Sequence, residues 1–221
     1  MRLTRYLTQF ILAGVLLLMM LVISCFSEYF FAWSNFRNIL DQSAIYIILA
    51  VGMTFVIASG GVDLSAGCLA GLSGVIMAAL MKSGLGVPEA IGLGFLAAVT
   101  MGTCNGLIIS VLKINAFITT LATMTICLGV SLIITGGTSI WGFPSIFTWF
   151  GTGQIGPINP PIFISLSLVL LGVIVLNKTL WGRYSLALGS NKEALRRAGV
   201  NNCFYHTSIY MFSAEIGRAH V

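Results

Sequence analysis

The chain has 221 residues and a net charge of +5; 57% of its residues are hydrophobic and only 8% are charged. Soluble domains carry about 25% charged residues, so this composition excludes an ordinary soluble domain and predicts a polytopic membrane protein. The positive charge is the expected excess of Lys and Arg in cytoplasmic loops, and it does not indicate a nucleic-acid partner.

The first apolar run follows two basic residues, Arg2 and Arg5, in the stretch MRLTRYLTQFILAGVLLLMMLVISCF. A secretory signal peptide would need a small-residue cleavage site and then a polar mature domain. Another apolar run follows instead. We therefore predict that this segment stays in the lipid bilayer as a first span, with the N-terminus in the cytoplasm.

Six apolar runs predict membrane-spanning α-helices, because backbone groups in lipid must be hydrogen-bonded within their own segment. The predicted spans cover residues 9–26, 40–59, 66–81, 90–112, 116–135 and 161–177, and a seventh begins near Phe204. The predicted fold is an all-α transmembrane helix bundle, with residues 1–214 forming one domain.

The distribution of basic residues agrees with this count. With the N-terminus inside, two basic residues fall outside, Arg37 and Lys82. Eight fall inside, which is the expected bias: Arg2, Arg5, Lys113, Lys178, Arg183, Lys192, Arg196 and Arg197,. Lys113 is interpreted as a topology anchor in a short inside turn. The uncharged, aromatic-rich loop 136–160 falls outside, where it would lie at the headgroups, cap a pore or receive a partner.

The stretch IASGGVDLSAG, residues 57–67, interrupts two apolar runs. Gly60 and Gly61 favour a helix break, and broken helices in membranes are tolerated only inside the protein or along a cavity. Asp63 would be costly in lipid and must face protein or water. We predict that Gly60, Gly61, Asp63, Ser65 and Asn105 form a buried break or line a translocation path.

A simpler interpretation of Asp63 is compatible with this one. The stretch could be a cytoplasmic turn in which Asp63 is the N-cap of a helix that starts at Leu64. Asn105 lies within an apolar span, where a side-chain amide usually bonds to another helix.

Small residues at four-residue spacing predict close helix packing. Such a stripe lets a neighbouring helix approach its backbone. The positions are Gly67 and Gly71 in the third span, and Gly94, Ala98, Gly102 and Gly106 in the fourth.

The cysteines do not form a metal-binding pattern. No Cys-x-x-Cys or Cys/His spacing occurs, so we predict no metal site and interpret the cysteines as small buried hydrophobic residues. They are Cys25, Cys68, Cys104, Cys127 and Cys203.

The inside loop 178–203 contains NKEALRRAG, which predicts a short capped helix. Asn191 can cap its start, Glu193 lies in its first turn, Arg196 and Arg197 lie in its last turn, and Gly199 can end it. A loop that only sets topology needs charges alone. A capped surface helix between two spans is typical of a docking element for a soluble partner.

The last seven residues, EIGRAHV, are predicted to be non-native. The seventh span has only about eleven residues before Glu215, too few to cross a bilayer. EIGRAHV is also a translation of a common sequencing-adapter sequence. We therefore expect residues 215–221 to be a cloning or read-through scar and the chain to be a fragment.

Three motifs resemble the membrane subunit of bacterial binding-protein-dependent ABC importers of the ribose, xylose and galactose type. They are SGGVDLSAG, CNGLIISVLKINAFITTLATM and GRYSLALGSNKEALRRAGV, and the resemblance covers nearly all of residues 1–214. Two departures are visible. Asn115-Ala116 stands where the family usually has a pair such as Val-Pro, and Ala66 stands where Val is common.

The resemblance implies a subunit of the bacterial inner membrane that is not itself an enzyme. Two permease subunits, expected to be a homodimer, would form the pore, and an extracytoplasmic sugar-binding protein would deliver substrate. A cytoplasmic ABC ATPase would hold ATP and Mg, because this chain has no phosphate-binding loop and no cofactor of its own. Further C-terminal helices are expected. The residues implied to shape the ATPase contact are Gly182, Arg183, Gly189, Asn191, Glu193, Ala194, Arg197 and Gly199.

Other functions remain open at this stage. A permease for branched-chain amino acids or another small polar solute would share this architecture. An ion-coupled secondary transporter usually needs several intramembrane acids. An intramembrane enzyme would need a second acid or a His near Asp63. A purely structural role would not call for a docking loop.

Overall fold

The computed structural model describes residues 2–217, which form ten helices and no named strand; a single isolated bridge joins Ile155 and Ile158. The helices are α1 (Arg2–Phe26), α2 (Trp33–Ala58), α3 (Ala66–Lys82), α4 (Val87–Ser110), α5 (Ala116–Thr135), α6 (Ser145–Thr152), α7 (Pro160–Lys178), α8 (Leu180–Ser190), α9 (Lys192–Arg197) and α10 (Asn202–Gly217).

Five of the helices are long and apolar enough to cross a membrane: α1, α2, α4, α5 and α7. The third predicted span, α3, is apolar but has only 17 residues. Helix α2 begins at Trp33, seven residues before the predicted start of its span at residue 40. The helical bundle is confirmed, and the count of spans agrees approximately with the prediction.

Two helices appear where the sequence predicted loops. Helix α6 lies within the predicted outside loop, and α8 occupies the first half of the predicted inside loop. The seventh predicted span is α10, which continues through Glu215 to Gly217. Residues 218–221 of the predicted non-native tail lie outside the described residues, and the origin of that tail stays a prediction.

The chain divides into two compact units, Met1–Ser43 and Ala44–Val221. The first contains α1 and the beginning of α2. Its turn between these helices is held by Asn35, whose Nδ2 donates to the carbonyl oxygen of Phe30 at 2.8 Å. The second unit contains all the sites discussed below.

The core of the second unit is built around α4. Helix α10 packs closely along α4, and α3 packs against both α4 and α5. A Cβ at Gly102 would lie 2.6 Å from the Cβ of Ala214, and one at Gly106 would lie 2.6 Å from the Cα of Thr207. Glycine at these two positions therefore lets α10 approach the α4 backbone, as the small-residue stripe predicted.

The rest of the small-residue prediction has a mixed outcome. Ala98 is buried, and Gly94 lies against Met77 of α3, so the stripe on α4 serves two different helices. The prediction for α3 is wrong within this chain. Gly67 and Gly71 lie on the exposed face of α3, and no described atom comes within 4 Å of a Cβ built at either position.

The cysteine prediction holds only in part. All five thiols are free, but only Cys127 is buried, Cys68 and Cys203 are half-buried, and Cys25 and Cys104 are exposed. In a membrane protein an exposed apolar face contacts lipid, so a small hydrophobic side chain need not be buried in protein.

Candidate functional site

Helix α2 ends in a left-handed glycine. Gly60 has φ +80°, its N–H donates to the carbonyl oxygen of Ile57 at 2.9 Å, and the N–H of Gly61 donates to that of Val56 at 2.9 Å. This pair of bonds is the Schellman arrangement that ends helices at glycine. At position 61 glycine leaves room for Tyr210, because a Cβ there would lie 2.5 Å from the Tyr210 hydroxyl oxygen. The predicted break is present, but the prediction that it is buried holds only in part, because Gly60 is exposed and Gly61 is half-buried.

Asp63 lies in the segment between α2 and α3 and is only 4% exposed. Its Oδ1 accepts from the backbone N–H of Ser65 at 2.9 Å and from the Ser65 hydroxyl at 2.6 Å. Its Oδ2 accepts from the Ser213 hydroxyl at 3.2 Å. The carboxylate therefore faces protein, as its cost in lipid requires.

The predicted N-cap role of Asp63 needs correction. Helix α3 begins at Ala66 rather than Leu64, and Ser65 occupies the N-cap position without a capping bond from its own side chain. Asp63 binds the N–H of that N-cap residue and closes a two-residue Asx turn ahead of the helix,. It organises the start of α3 from two positions before the N-cap, rather than from the N-cap itself.

Asn105 extends this polar cluster across the bundle. Its Nδ2 donates to the Ser65 hydroxyl oxygen at 3.0 Å, and its Oδ1 accepts from the Thr123 hydroxyl at 2.5 Å. Asn105 is 1% exposed and Ser65 is fully buried. We call Asp63, Ser65, Asn105, Thr123 and Ser213 the polar cluster. It links the break before α3 to α4, α5 and α10 by side-chain hydrogen bonds in a low-dielectric interior.

Sequence reasoning missed Thr123, Ser213 and Tyr210. Thr123 follows Thr119 and Thr120 on the one buried face of α5, and hydroxyls repeating at helical spacing in an apolar span are a usable signal,. Tyr210 is fully buried, and its hydroxyl donates to the carbonyl oxygen of Val62 at 3.3 Å. Ser213 lies one helical turn later and meets Asp63 from 150 residues away in sequence.

The predicted capped helix in the inside loop is confirmed as α9. Asn191 Oδ1 accepts from the N–H of Ala194 at 2.9 Å. Gly199 has φ +78° and ends the helix, with its N–H bonded to the carbonyl oxygen of Arg196 and the next N–H bonded to that of Leu195. The helix therefore starts and stops as the sequence predicted.

The charged face of α9 is exposed and internally paired. Glu193 Oε1 accepts from Arg196 Nη2 at 2.9 Å and from Arg197 Nε at 3.2 Å. These hydrogen bonds hold the pKa of the Glu193 carboxyl below its usual value. Solvent screens such pairs, so they add little to stability. They leave a compact cationic surface on a rigid element.

Helix α8 connects this surface to the helix break. A Cβ at Gly189 would overlap the carbonyl oxygen of Ala58, and one at Gly60 would lie 3.5 Å from the Cα of Gly189. Leu188 is fully buried in a core cluster with Phe55, Val56 and Tyr210. The C-terminal end of α8 therefore packs directly on the end of α2.

Gly182, another predicted contact residue, has a structural role. A Cβ there would overlap the carbonyl oxygen of Val175, so glycine permits the tight turn from α7 into α8. Trp181 Nε1 also donates to the Ser208 hydroxyl at 2.9 Å and ties α8 to α10. Arg183 belongs to the same helix, but the described contacts assign it no partner in the site.

The break, the turn between α4 and α5, and the first turns of α10 meet at one cavity. Its wall includes Gly60, Lys113, Leu188, Lys192 and His206. The predicted topology requires these segments to share one side of the membrane, and the structure brings them together.

Comparison with known proteins identifies relatives over most of the chain. Residues 35–217 match the family described as "Branched-chain amino acid transport system / permease component". No solved structure gives a significant match.

Among curated proteins, the chain is 34% identical to the ribose import permease protein RbsC of Escherichia coli K12, covering 84% of this chain and 59% of that protein. It is 37% identical to RbsC of Bacillus subtilis 168, covering 88% and 61%. It is 34% identical to the galactofuranose transporter permease protein YtfT of Escherichia coli K12, covering 80% and 52%. The chain thus spans little more than half the length of these relatives.

Proposed function

The chain belongs to the family described as branched-chain amino acid transport system permease components, and on that premise we propose that it is part of the pore-forming subunit of an ATP-driven importer for a monosaccharide such as ribose. The names of the sugar permeases that it resembles support this substrate class. One structural observation carries the proposal: α8 joins the exposed cationic helix α9 directly to the break between α2 and α3.

The proposed complex has three kinds of component. A second copy of this subunit completes the pore, and an extracytoplasmic binding protein delivers the sugar. A cytoplasmic ABC ATPase carries ATP and Mg and binds the surface of α9. The complex lies in the bacterial inner membrane with the N-terminus of this chain in the cytoplasm, in line with the eight-to-two distribution of basic residues,.

The proposed mechanism uses the rigid contact between α8 and α2. A change in the ATPase that moves α9 must also move Gly189, because α8 and α9 are separated only by Asn191. Gly189 lies on Ala58, so that displacement reaches the Gly60 break and the polar cluster behind it. By linkage, an ATPase state that favours one position of α8 also favours the matching state of the pore.

The polar cluster has a structural part in this proposal. Its side chains use their hydrogen-bonding groups on one another, which keeps the start of α3 fixed to α4, α5 and α10. The break can then move as a unit without exposing unpaired polar groups to lipid.

A second candidate substrate is a branched-chain amino acid, since the description of the matching family names that class. Transport in proteoliposomes distinguishes the two. The full-length protein, reconstituted with its ATPase and binding protein, should accumulate ribose or another monosaccharide only when ATP is supplied to the ATPase side. Accumulation of leucine without any sugar uptake would support the second candidate, and uptake that ignores ATP would contradict both.

The proposed orientation has a separate test. A cysteine introduced at Ser190, in a background without native cysteines, should resist a membrane-impermeant thiol reagent in intact cells and react after the cells are opened. A cysteine at Thr138, in the predicted outside loop, is the matched control and should react in intact cells. The opposite pattern would contradict a cytoplasmic N-terminus.

A further inference from the structure

The cavity beside the helix break is large and cationic. It has a volume of about 630 Å³, within the range of small-molecule sites,. Two lysines line it, Lys113 and Lys192, and no carboxylate is among the described residues of its wall. Neither lysine forms an ion pair with a described residue, and the nearby Glu193 is already paired with Arg196 and Arg197. The cavity therefore carries two uncompensated positive charges.

Neutral donors complete the lining. Asn115 lines the cavity, and because its Oδ1 caps α5, its amide nitrogen remains as a hydrogen-bond donor. The first residues of α5, Ala116 and Phe117, also form part of the wall. The N-terminal end of this 20-residue helix carries a positive partial charge that favours an anion,.

Two further features distinguish this wall from a simple solvated turn. His206 lines the cavity, is only 8% exposed, and its buried Nδ1 has no described partner. Lys113 is the one non-glycine residue with positive φ in the described chain, at +55°. A lysine in this conformation is uncommon, and such strain clusters at functional sites.

We propose that this cavity binds a phosphate group, either that of a soluble phosphate ester or that of an anionic lipid headgroup. A phosphate monoester carries nearly two negative charges at neutral pH, which matches the two lysines, and the phosphodiester of an anionic lipid headgroup carries one. The remaining wall includes Ile109, Ile114, Leu188 and Ser110, a mixture of apolar and hydroxyl groups that suits an organic body attached to the phosphate.

The position of the cavity suggests a regulatory use. It touches Gly60 and Gly61 at the break, Leu188 at the end of α8, and Lys192 at the start of α9. A bound anion would hold the proposed docking helix against the break and favour one position of α8. This regulatory part rests on the proposed function, whereas phosphate binding itself does not.

Binding is tested with purified full-length protein in phosphatidylcholine nanodiscs, without ATPase. Inorganic phosphate and ribose 5-phosphate are the soluble probes, titrated by calorimetry in chloride buffer of constant ionic strength. The variants are Lys113→Gln, Lys192→Gln and the double variant. Lys82→Gln is the matched control, because it removes the same charge from the other predicted side. Each cavity substitution should weaken binding about tenfold, and both together about a hundredfold.

Binding of a lipid headgroup is tested in a separate experiment. Nanodiscs containing phosphatidylglycerol are analysed by native mass spectrometry for retained lipid, with the same variants. Soluble binding in phosphatidylcholine that depends on the cavity lysines identifies a soluble phosphate ester. Retained phosphatidylglycerol that depends on them, without soluble binding, identifies the lipid. His206→Phe keeps the ring stacked on Tyr210 and should weaken either interaction severalfold.

The proposal is overturned if neither probe class binds, or if Lys82→Gln weakens binding as much as the cavity substitutions. The binding test with inorganic phosphate uses neither the sugar nor the ATPase, so its result is independent of the proposed transport function. Lysine-dependent phosphate binding without sugar uptake would contradict only the proposed function, and sugar uptake without phosphate binding would contradict only the cavity site.

Discussion

Gly189, near the end of α8, lies directly on the carbonyl group of Ala58, the last residue of α2. No side chain larger than hydrogen fits between them without a backbone shift. The contact joins the proposed ATPase-binding segment to the break that precedes Asp63. It makes Gly189 one residue through which motion of α8 would reach the end of α2.

Gly189→Ala tests this contact. The added methyl group overlaps backbone atoms of Ala58 and Ser59, so α8 must move. We expect a loss of about 1–3 kcal/mol in the free energy of unfolding and a larger fractional loss of ATP-driven uptake than of ATPase binding. Thermal unfolding, uptake and ATPase pull-down measure the three quantities.

Gly67→Ala is the matched control for that experiment. A Cβ at this position meets no described atom, and alanine is a better helix former than glycine,. This variant should keep or slightly raise stability and retain uptake. Equal behaviour of the two variants would contradict the proposed importance of the α8–α2 contact.

Thr123→Val tests the polar cluster from the α5 side. Valine keeps the shape of the side chain but leaves Asn105 Oδ1 without its hydroxyl donor. An unsatisfied buried acceptor costs about 1–3 kcal/mol. Thr125→Val is the control, because the Thr125 hydroxyl is exposed and bonds only to the Leu121 carbonyl oxygen of its own helix. Unfolding midpoints that fall equally in both variants would contradict the cluster.

Much of the local structure could be predicted from the sequence because its causes are local. Gly199 and Asn191 terminate and cap α9 through bonds within a few residues, and Gly60 ends α2 in the same way. Apolar runs likewise located the long helices, with end points shifted by up to seven residues. Such signals do not depend on where the rest of the chain lies.

The partners of these elements could not be predicted in the same way. Asp63 meets Ser213 and Asn105 meets Ser65 because α10 and α4 pack beside the break, and a single sequence does not specify that arrangement. The sequence did not predict helix α8, because Gly182 and Gly189 lower its helix propensity. Burial of Leu188 and Ser185 against the core overrides that preference,.

Gly199→Val tests the docking helix. A β-branched side chain fits poorly at φ +78°, and the strain of a left-handed residue is about 1–2 kcal/mol,. No described atom crowds this position, so any effect comes from the backbone. We expect membrane insertion to persist, while more ATP is hydrolysed for each sugar transported.

Gly84→Val provides the comparison for that change. Gly84 has φ +97° and open space around it, and it lies in the short connection between α3 and α4 on the other predicted side. It should carry a similar strain without uncoupling hydrolysis from uptake. Normal coupling in Gly199→Val would remove the basis for placing the ATPase at α9.

Two substitutions of Asp63 separate a structural role from a role in the substrate path. Asp63→Asn keeps an oxygen that can accept from the Ser65 N–H and hydroxyl, and the Ser213 hydroxyl can accept from the new amide,. Assembly should therefore survive with a modest loss of uptake. Asp63→Leu leaves the donors of Ser65 and Ser213 unpaired in a buried site, at about 1–3 kcal/mol for each group, and should impair folding or assembly. Expression, complex recovery, ATPase activity and uptake are measured for both. An Asp63→Asn protein that assembles and hydrolyses ATP normally but transports nothing would refute the structural role, because the charge itself would then be required for passage or gating.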